Sequence, residues 1–247
     1  LAVVEVLGKP RDGYDLLVCS YCDPVNTLLY RRSRYQISDL LGISLIAKYS
    51  YAVAVSNAVP VANFREFIGY AKDHPGELNY GQLGVASMQN ILAKQLQKVA
   101  GMKMTALPYK GTADAMQELI AGRDHVVFGP PLAVYPFYEA KQVKVLAITG
   151  DERLPSMPEV PTLKEAGLAV TAYGWLGICG GAGIPAAIVT QLNHAVRQIV
   201  DAPDYRELVL KSGSQPVSSS PEEFQATIQK SADDVAPVVK EFDIHVD

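Results

Sequence analysis

An α/β fold is the structural class that this sequence predicts, and two observations predict it. Short apolar runs of strand length alternate with amphipathic stretches of helix length, most clearly over residues 78–148. Helix start and stop signals stand at the junctions: Ser87 can cap one helix, and Gly101 can end it. Strands that alternate with helices are typical of a mostly parallel sheet flanked by helices.

The amino-acid composition and charge argue against a nucleic-acid-binding protein and against a membrane-spanning one. The chain has 247 residues, enough for one large or two medium domains, and 49% of them are hydrophobic. The net charge is −4, and the longest basic cluster is the short run Arg31-Arg32-Ser33-Arg34, which argues against a nucleic-acid surface. The sequence contains no apolar run of 18 residues, so it predicts no transmembrane helix.

The remaining elements follow from the same patterns. In the first half, the sequence predicts helical residues at the start of the chain (1–7), a strand at 14–20 and a polar loop at 20–26. It also predicts an extended run at 49–55 and a helix at 61–72. In the middle of the chain, the sequence predicts strands at 78–80, 104–107, 126–128 and 143–148. It predicts helices at 87–100, 112–121 and 132–140. A proline-bearing connection spans 154–167, and an extended run spans 171–179. Helices begin at Pro185 and Pro203, and the capping box Ser220-x-x-Glu223 begins a last helix that Pro237 should kink or interrupt.

The loop 81–86 and the helix that follows it form the clearest candidate binding motif. A helix N-terminus has unpaired N–H groups and about half a positive charge, and small residues here let an anion approach the backbone. The spacing Gly81-x-x-Gly84 lacks the third glycine of a dinucleotide fingerprint and the lysine of a P-loop. An ordinary strand-to-helix turn is the alternative interpretation.

The three cysteines leave alternatives open. Cys19-x-x-Cys22 can be a redox pair, half a metal site, or two small side chains near a strand end, and Cys179 is distant in sequence. No second such pair accompanies it, and the four histidines are scattered, so we expect no metal and no cofactor.

Several short motifs, taken in order along the whole chain, resemble the Bug family, the TctC-type solute-binding proteins of tripartite tricarboxylate transporters. The motifs are Asp12-Gly13-Tyr14; Asn79-Tyr80-Gly81 with Gly84 and Ser87-x-Gln89; Pro108-Tyr109-Lys110-Gly111; Leu154-Pro155 through Val160-Pro161-Thr162 with Glu165-Ala166-Gly167; and Pro221-Glu222-Glu223-Phe224.

This resemblance implies a type II periplasmic binding protein with two α/β lobes and a ligand cleft between them. The two extended runs place the crossings near 49–55 and 172–178, so lobe one is expected to hold residues 1–50 and 175–247, and lobe two residues 51–174. The family implies a small organic carboxylate as ligand, membrane permease subunits as partners and a periplasmic location. Relative to the family pattern the chain starts after the first strand and glycine-rich loop, so we expect lobe one to lack them and the signal peptide to lie upstream.

The resemblance also suggests where the ligand binds. We expect Gly84 and the N–H groups of Ala86, Ser87 and Met88, with the Ser87 hydroxyl, to hold the carboxylate. From lobe one we expect Ser20, Tyr21 and Asp23 to face the cleft, with Tyr173 and Trp175 nearby; the alternative for Trp175 is a core position. Gly129-Pro130 replaces a frequent family aspartate, which favours a ligand without an amino group, and Asn90 replaces a histidine-type position.

Two other functions remain as alternatives. Ala86-Ser87-Met88 is not a G-x-S-x-G elbow, and neither His74 nor His125 has an evident acid partner, so we expect a binding protein and no hydrolase. An effector-binding domain of a transcription regulator can share the two-lobed fold and is the second alternative.

Overall fold

The computed structural model describes residues 2–85 and 87–246, and the chain divides into two compact units. Unit 1 comprises Leu1–Lys48 and Gly174–Asp247, and unit 2 comprises Tyr49–Tyr173. Within the described residues the elements follow in the order α1 (Ala2–Leu7), β1 (Leu17–Ser20), α2 (Cys22–Leu29), β2 (Leu40–Ser50), β3 (Ala52–Ser56), α3 (Phe64–Asp73), β4 (Asn79–Gln82), α4 (Met88–Ala100), β5 (Thr105–Pro108), α5 (Thr112–Ile120), β6 (Val126–Gly129), α6 (Pro131–Glu139), β7 (Val143–Ile148), β8 (Tyr173–Gly181), α7 (Ala186–Asp201), α8 (Pro203–Lys211), β9 (Gln215–Pro216) and α9 (Pro221–Glu241). The α/β class predicted from the sequence is confirmed.

Unit 2 contains a five-stranded sheet in the order β5-β4-β6-β3-β7. Strand β4 pairs parallel with β5 and β6, whereas β3 pairs antiparallel with β6 and β7. Four strands therefore run in one direction and β3 runs against them. Strand β3 follows β2 after the single residue Tyr51, and helix α3 connects it to β4.

Unit 1 contains a four-stranded sheet in the order β1-β8-β2-β9, in which β1 pairs antiparallel with β8 and β2 pairs antiparallel with β9. These two pairings of unit 1 differ from the expectation of a mostly parallel sheet in each lobe, whereas in unit 2 four of the five strands run in one direction, as expected. Strands β8 and β9 return from distant parts of the sequence, so local patterns do not reveal their direction.

A disulfide joins β1 to β8 through Cys19 and Cys179, which are 160 residues apart in sequence and fully buried. Cys22 is a free, exposed thiol, so the redox-pair and half-metal-site interpretations of Cys19-x-x-Cys22 are wrong. A covalent link that closes so long a loop restricts the unfolded chain, by about 5 kcal/mol in the chain-entropy treatment.

Helix α4 shows how local signals position the candidate site. Ser87 is its N-cap, and Gly101 ends it in the left-handed conformation (φ 65°) that a residue without a Cβ adopts readily. Ile91, Leu92 and Leu96 are buried against the core, while Val99, also predicted on this face, is 52% exposed.

The last helix agrees with the prediction at its start and is not interrupted at Pro237. Ser220 and Glu223 form the expected capping box at the start of α9. The helix then continues through Pro237 to Glu241, so the predicted interruption does not occur.

Candidate functional site

The N-terminus of α4 is the best-defined candidate site in unit 2. The Ser87 hydroxyl accepts a hydrogen bond from the Asn90 N–H (3.3 Å), and the Ser87 carbonyl accepts one from the Ile91 N–H (3.1 Å). The Ser87 N–H donates to the Gly84 carbonyl at 3.0 Å. Gly84 has φ 110°, is exposed, and has open space where a side chain would stand. The loop therefore turns tightly and leaves the helix end accessible beside Gly84.

Two adjacent N–H groups remain at this helix end. Neither the Met88 nor the Gln89 N–H makes a backbone hydrogen bond to another described residue. The Ser87 N–H, which was expected to bind ligand, is instead engaged within the loop, and Ala86 lies outside the described residues. Two neighbouring amides at the first two positions of a helix match the two oxygens of one carboxylate.

Asn90 fixes the loop from inside. It is 4% exposed; its Oδ1 accepts from the Tyr80 hydroxyl at 2.6 Å, and its Nδ2 donates to the Val85 carbonyl at 2.7 Å. Tyr80 lies on β4 with its ring edge-on to Phe128, and burial raises its pKa to about 12. In the sequence, Asn90 stands out only as a departure from the family pattern. A polar residue on an otherwise apolar helical face was the available signal.

The predicted residues of unit 1 lie at the start of α2. The segment 20–26 was expected to be a loop, but α2 begins at Cys22 because Pro24, Val25 and Leu29 bury one face of a helix. The Asp23 Oδ2 accepts from the Ser20 N–H (2.6 Å) and hydroxyl (3.2 Å). Burial raises the pKa of Asp23, and the hydrogen bonds from Ser20 oppose that shift.

Tyr21 belongs to the buried part of unit 1. Its side chain is 8% exposed, and burial, with Cys22 and Asp234 nearby, raises the pKa of its hydroxyl. Asp23 borders a cavity of about 460 Å³ within unit 1, together with Arg32 and Arg34. Asp23 therefore lines this cavity with its carboxylate already engaged by Ser20.

Trp175 has the core position named above as the alternative, and its place near a ligand stays a prediction. It is 4% exposed, its Nε1 donates to the Ser231 hydroxyl at 2.9 Å, and its ring meets Phe224 edge-on at 5.2 Å. Helix α9 covers this face of β8, which the sequence of β8 alone does not show.

The other predicted aromatic residue, Tyr173, is half-buried. Its hydroxyl donates to Asp151 Oδ2 at 2.9 Å and accepts from the Asp151 N–H at 2.5 Å. These bonds fix the ring against the segment that follows β7.

Gly129 and Pro130 shape the junction between β6 and α6. A Cβ at Gly129 would lie 2.6 Å from Val134 Cγ2, so this buried position admits no side chain without rearrangement. Pro130 is the N-cap residue of α6, and Pro131 occupies its first turn. Neither residue supplies a charged group, so a ligand here would meet apolar surface.

His74 and His125, which were considered as candidate catalytic residues, lie against backbone groups of the fold. His74 Nδ1 lies 2.9 Å from the Tyr70 carbonyl, and His125 Nδ1 accepts from the Asn79 N–H at 2.9 Å. Burial lowers the pKa of His125. Over residues 2–85 and 87–246, no group of three or more His, Cys, Asp or Glu residues is arranged to hold a metal ion. In the same part of the chain, no helix combines the length and the apolar character that crossing a membrane requires.

Comparison with known proteins gives a consistent result. The model of the tripartite tricarboxylate transporter family receptor, TctC, matches residues 2–244. A curated relative from Cupriavidus necator, the UPF0065 protein in the gbd 5' region, is 31% identical over 215 residues, which cover 86% of this chain and 65% of that protein. The chain thus spans just under two thirds of the length of this relative.

Solved structures share the fold. R. palustris Rpa4515 with adipate has a TM-score of 0.86 and 28% identity, covering 97% of this chain and 81% of that one. MatC from Rhodopseudomonas palustris with bound malate has a TM-score of 0.83 and 25% identity, covering 96% of this chain and 83% of that one.

Proposed function

The chain belongs to the TctC family of tripartite tricarboxylate transporter receptors, and from this premise we propose that it binds a small organic carboxylate and delivers it to the permease subunits of such a transporter. The observation that carries the proposal is the pair of adjacent N–H groups of Met88 and Gln89, beside the Ser87 hydroxyl. They are the groups to which we assign the ligand carboxylate.

Backbone amides suit a receptor that must exist both empty and loaded. They are fixed by α4 and carry no net charge, so the empty site contains no unpaired buried cation. A hydrogen bond to a charged acceptor contributes about 1.5–3 kcal/mol, and the helix dipole adds roughly 0.3–1 kcal/mol for an anion at this end. Two amides and one hydroxyl can therefore support micromolar binding of one carboxylate when apolar contacts contribute as well.

The surroundings favour a ligand without an amino group. Val85 is 42% exposed beside the helix end, Leu83 is partly exposed, and Gly129 and Pro130 provide no carboxylate for an ammonium group. An ammonium ion that lost its water here without an anionic partner would weaken binding by a few kcal/mol, in the range of about 1–3. The structures of relatives with adipate and malate agree with a dicarboxylate in this role.

A periplasmic location fits the covalent structure. A solved relative of 26% sequence identity is a periplasmic transporter, and the buried Cys19–Cys179 disulfide is the kind of bond that persists in an oxidising compartment. We propose a periplasmic location on these two grounds.

Calorimetry and mass spectrometry test the proposal together. We expect adipate, succinate or another carboxylate to bind with a dissociation constant at or below the micromolar range and to be recovered chemically unchanged after incubation. Turnover of the bound compound would support the hydrolase alternative and contradict the receptor function. Absence of binding across a panel of mono-, di- and tricarboxylates would also contradict it.

A further inference from the structure

We infer that Asn90 is the positioning residue of the carboxylate site, because its side-chain amide fixes Val85, in the loop before α4, to Tyr80 on strand β4. This inference rests on the proposed function, since it names the residue that organises the proposed site. Asn90 itself is buried and does not contact the ligand in this arrangement.

Three hydrogen bonds converge on Asn90 from three consecutive parts of the chain. The Tyr80 hydroxyl reaches it from β4, the Val85 carbonyl from the loop, and the Ser87 hydroxyl from the N-cap. The side chain of Asn90 thus joins β4 to the loop, and the backbone N–H of the same residue joins it to the N-cap Ser87. A loop tied in this way loses its alternative conformations before the ligand arrives, and the ligand therefore does not have to order it.

The orientation of the amide follows from chemistry. The Val85 carbonyl can only accept a hydrogen bond, so the Nδ2 group must face it. Oδ1 then faces Tyr80, and the tyrosine hydroxyl must be the donor in the 2.6 Å bond. Tyr80 is fully buried and packs edge-on against Phe128, so the reference point for the loop is the core of the sheet.

Asn90 also holds the Val85 carbonyl, which stands three residues before Met88, the spacing of a 3₁₀ hydrogen bond. The hydrogen bond from Nδ2 sets the position of this carbonyl, and the Ser87 N–H donates to the Gly84 carbonyl. The N–H groups of Met88 and Gln89, to which the ligand is assigned, follow directly after this fixed segment.

Substitution of Asn90 tests the inference with a matched control in the same helix. Gln97 is also a buried amide of α4; its Nε2 donates to the Ala93 carbonyl at 3.2 Å, and its Oε1 accepts from the Met104 N–H at 2.8 Å. Asn90→Leu and Gln97→Leu both remove a buried amide of similar connectivity, but only Asn90 touches the loop. We expect Asn90→Leu to weaken adipate binding by 10- to 100-fold and Gln97→Leu to leave it within twofold of the wild type.

A second readout separates positioning from general destabilisation. In ¹H–¹⁵N spectra, saturating adipate should shift the Met88 and Gln89 amide signals in the wild type and in Gln97→Leu, and much less in Asn90→Leu. Tyr80→Phe keeps the ring in the core and removes only the hydroxyl; we expect a 3- to 10-fold loss of affinity, and this variant also serves if Asn90→Leu fails to fold. Because both residues act through one network, the double variant should lose no more affinity than Asn90→Leu alone.

A failure of this inference can be distinguished from a failure of the proposed function. Equal affinity in wild type, Asn90→Leu and Tyr80→Phe, with the usual shifts at Met88 and Gln89, would overturn the role of Asn90 and leave the proposed function intact. Equal losses in Asn90→Leu and Gln97→Leu would likewise reduce Asn90 to a structural residue. Absence of adipate and succinate binding in the wild type would overturn the proposed function and this inference with it.

Discussion

Asp124 Oδ2 lies so close to Gly81 that a methyl group on the glycine would approach it within 3.0 Å. Asp124 is fully buried, its Oδ1 accepts from the His125 N–H at 2.8 Å, and its Oδ2 has no hydrogen-bond partner among the described residues. Burial raises the pKa of this carboxyl to about 6, with Glu118 adding to the shift. An ionised, half-satisfied carboxylate under α5 disfavours the folded state of unit 2.

The contribution of Asp124 to the free energy of unfolding should decrease as the pH rises. Asp124 has a higher pKa in the folded than in the unfolded chain, so its contribution favours folding below pH 4 and is lost as the pH rises through about 6. Asp124→Asn should therefore raise the free energy of unfolding relative to the wild type at pH 7.5, by at most about 3 kcal/mol, and by less at pH 4.5. Urea unfolding of both proteins over this range is the measurement, and a constant difference between the two curves would contradict the expectation.

Ser87→Ala should weaken ligand binding through the loss of one hydroxyl donor to the carboxylate. We expect about a tenfold or larger loss of affinity, since a hydrogen bond to a charged group contributes about 1.5–3 kcal/mol. The helix also loses its N-cap, which lowers stability by about 1 kcal/mol. Ser220→Ala is the matched control, because Ser220 caps α9 in the same manner and lies in unit 1. Titration calorimetry that gives both variants the same affinity would remove Ser87 from the site.

Ligands with and without an amino group should differ in their effect on the melting temperature of the protein. Binding stabilises a protein by RT ln(1 + [L]/Kd), near 2.7 kcal/mol at a hundredfold excess of ligand over Kd. We expect adipate, succinate or benzoate to raise the melting temperature, and glutamate and aspartate to leave it unchanged, because Gly129 and Pro130 offer no anion to an ammonium group. Stabilisation by the amino acids alone would refute this specificity.

Reduction of the disulfide should destabilise the protein. Opening the link between Cys19 and Cys179 releases a loop that spans most of the chain, and the free energy of unfolding should fall by several kcal/mol, up to about 5. Cys22→Ser should leave the melting temperature unchanged both with and without reductant, because that thiol is free and exposed. Equal melting temperatures of the wild type before and after complete reduction would be the contrary result.

The sequence by itself determined the local architecture of the candidate site. Ser87 as an N-cap, Gly101 as a helix stop and the Ser220–Glu223 capping box act within one turn of helix, so their effects can be read from neighbouring residues. The family could also be recognised from the sequence, because its motifs are short and follow one another along the chain.

Only the tertiary structure decided what depends on residues far apart in the chain. The partner of Cys19 is 160 residues away, Trp175 is buried because α9 covers it, and β3 pairs antiparallel with β6 and β7, which come much later in the chain. The role of Asn90 depends on both local sequence and tertiary structure. Its partners Tyr80 and Val85 are near in sequence, but their polar atoms meet at the Asn90 amide only because the loop folds back onto β4. Hydrogen bonds and side-chain packing of this kind depend on three-dimensional proximity, which hydrophobic periodicity does not encode.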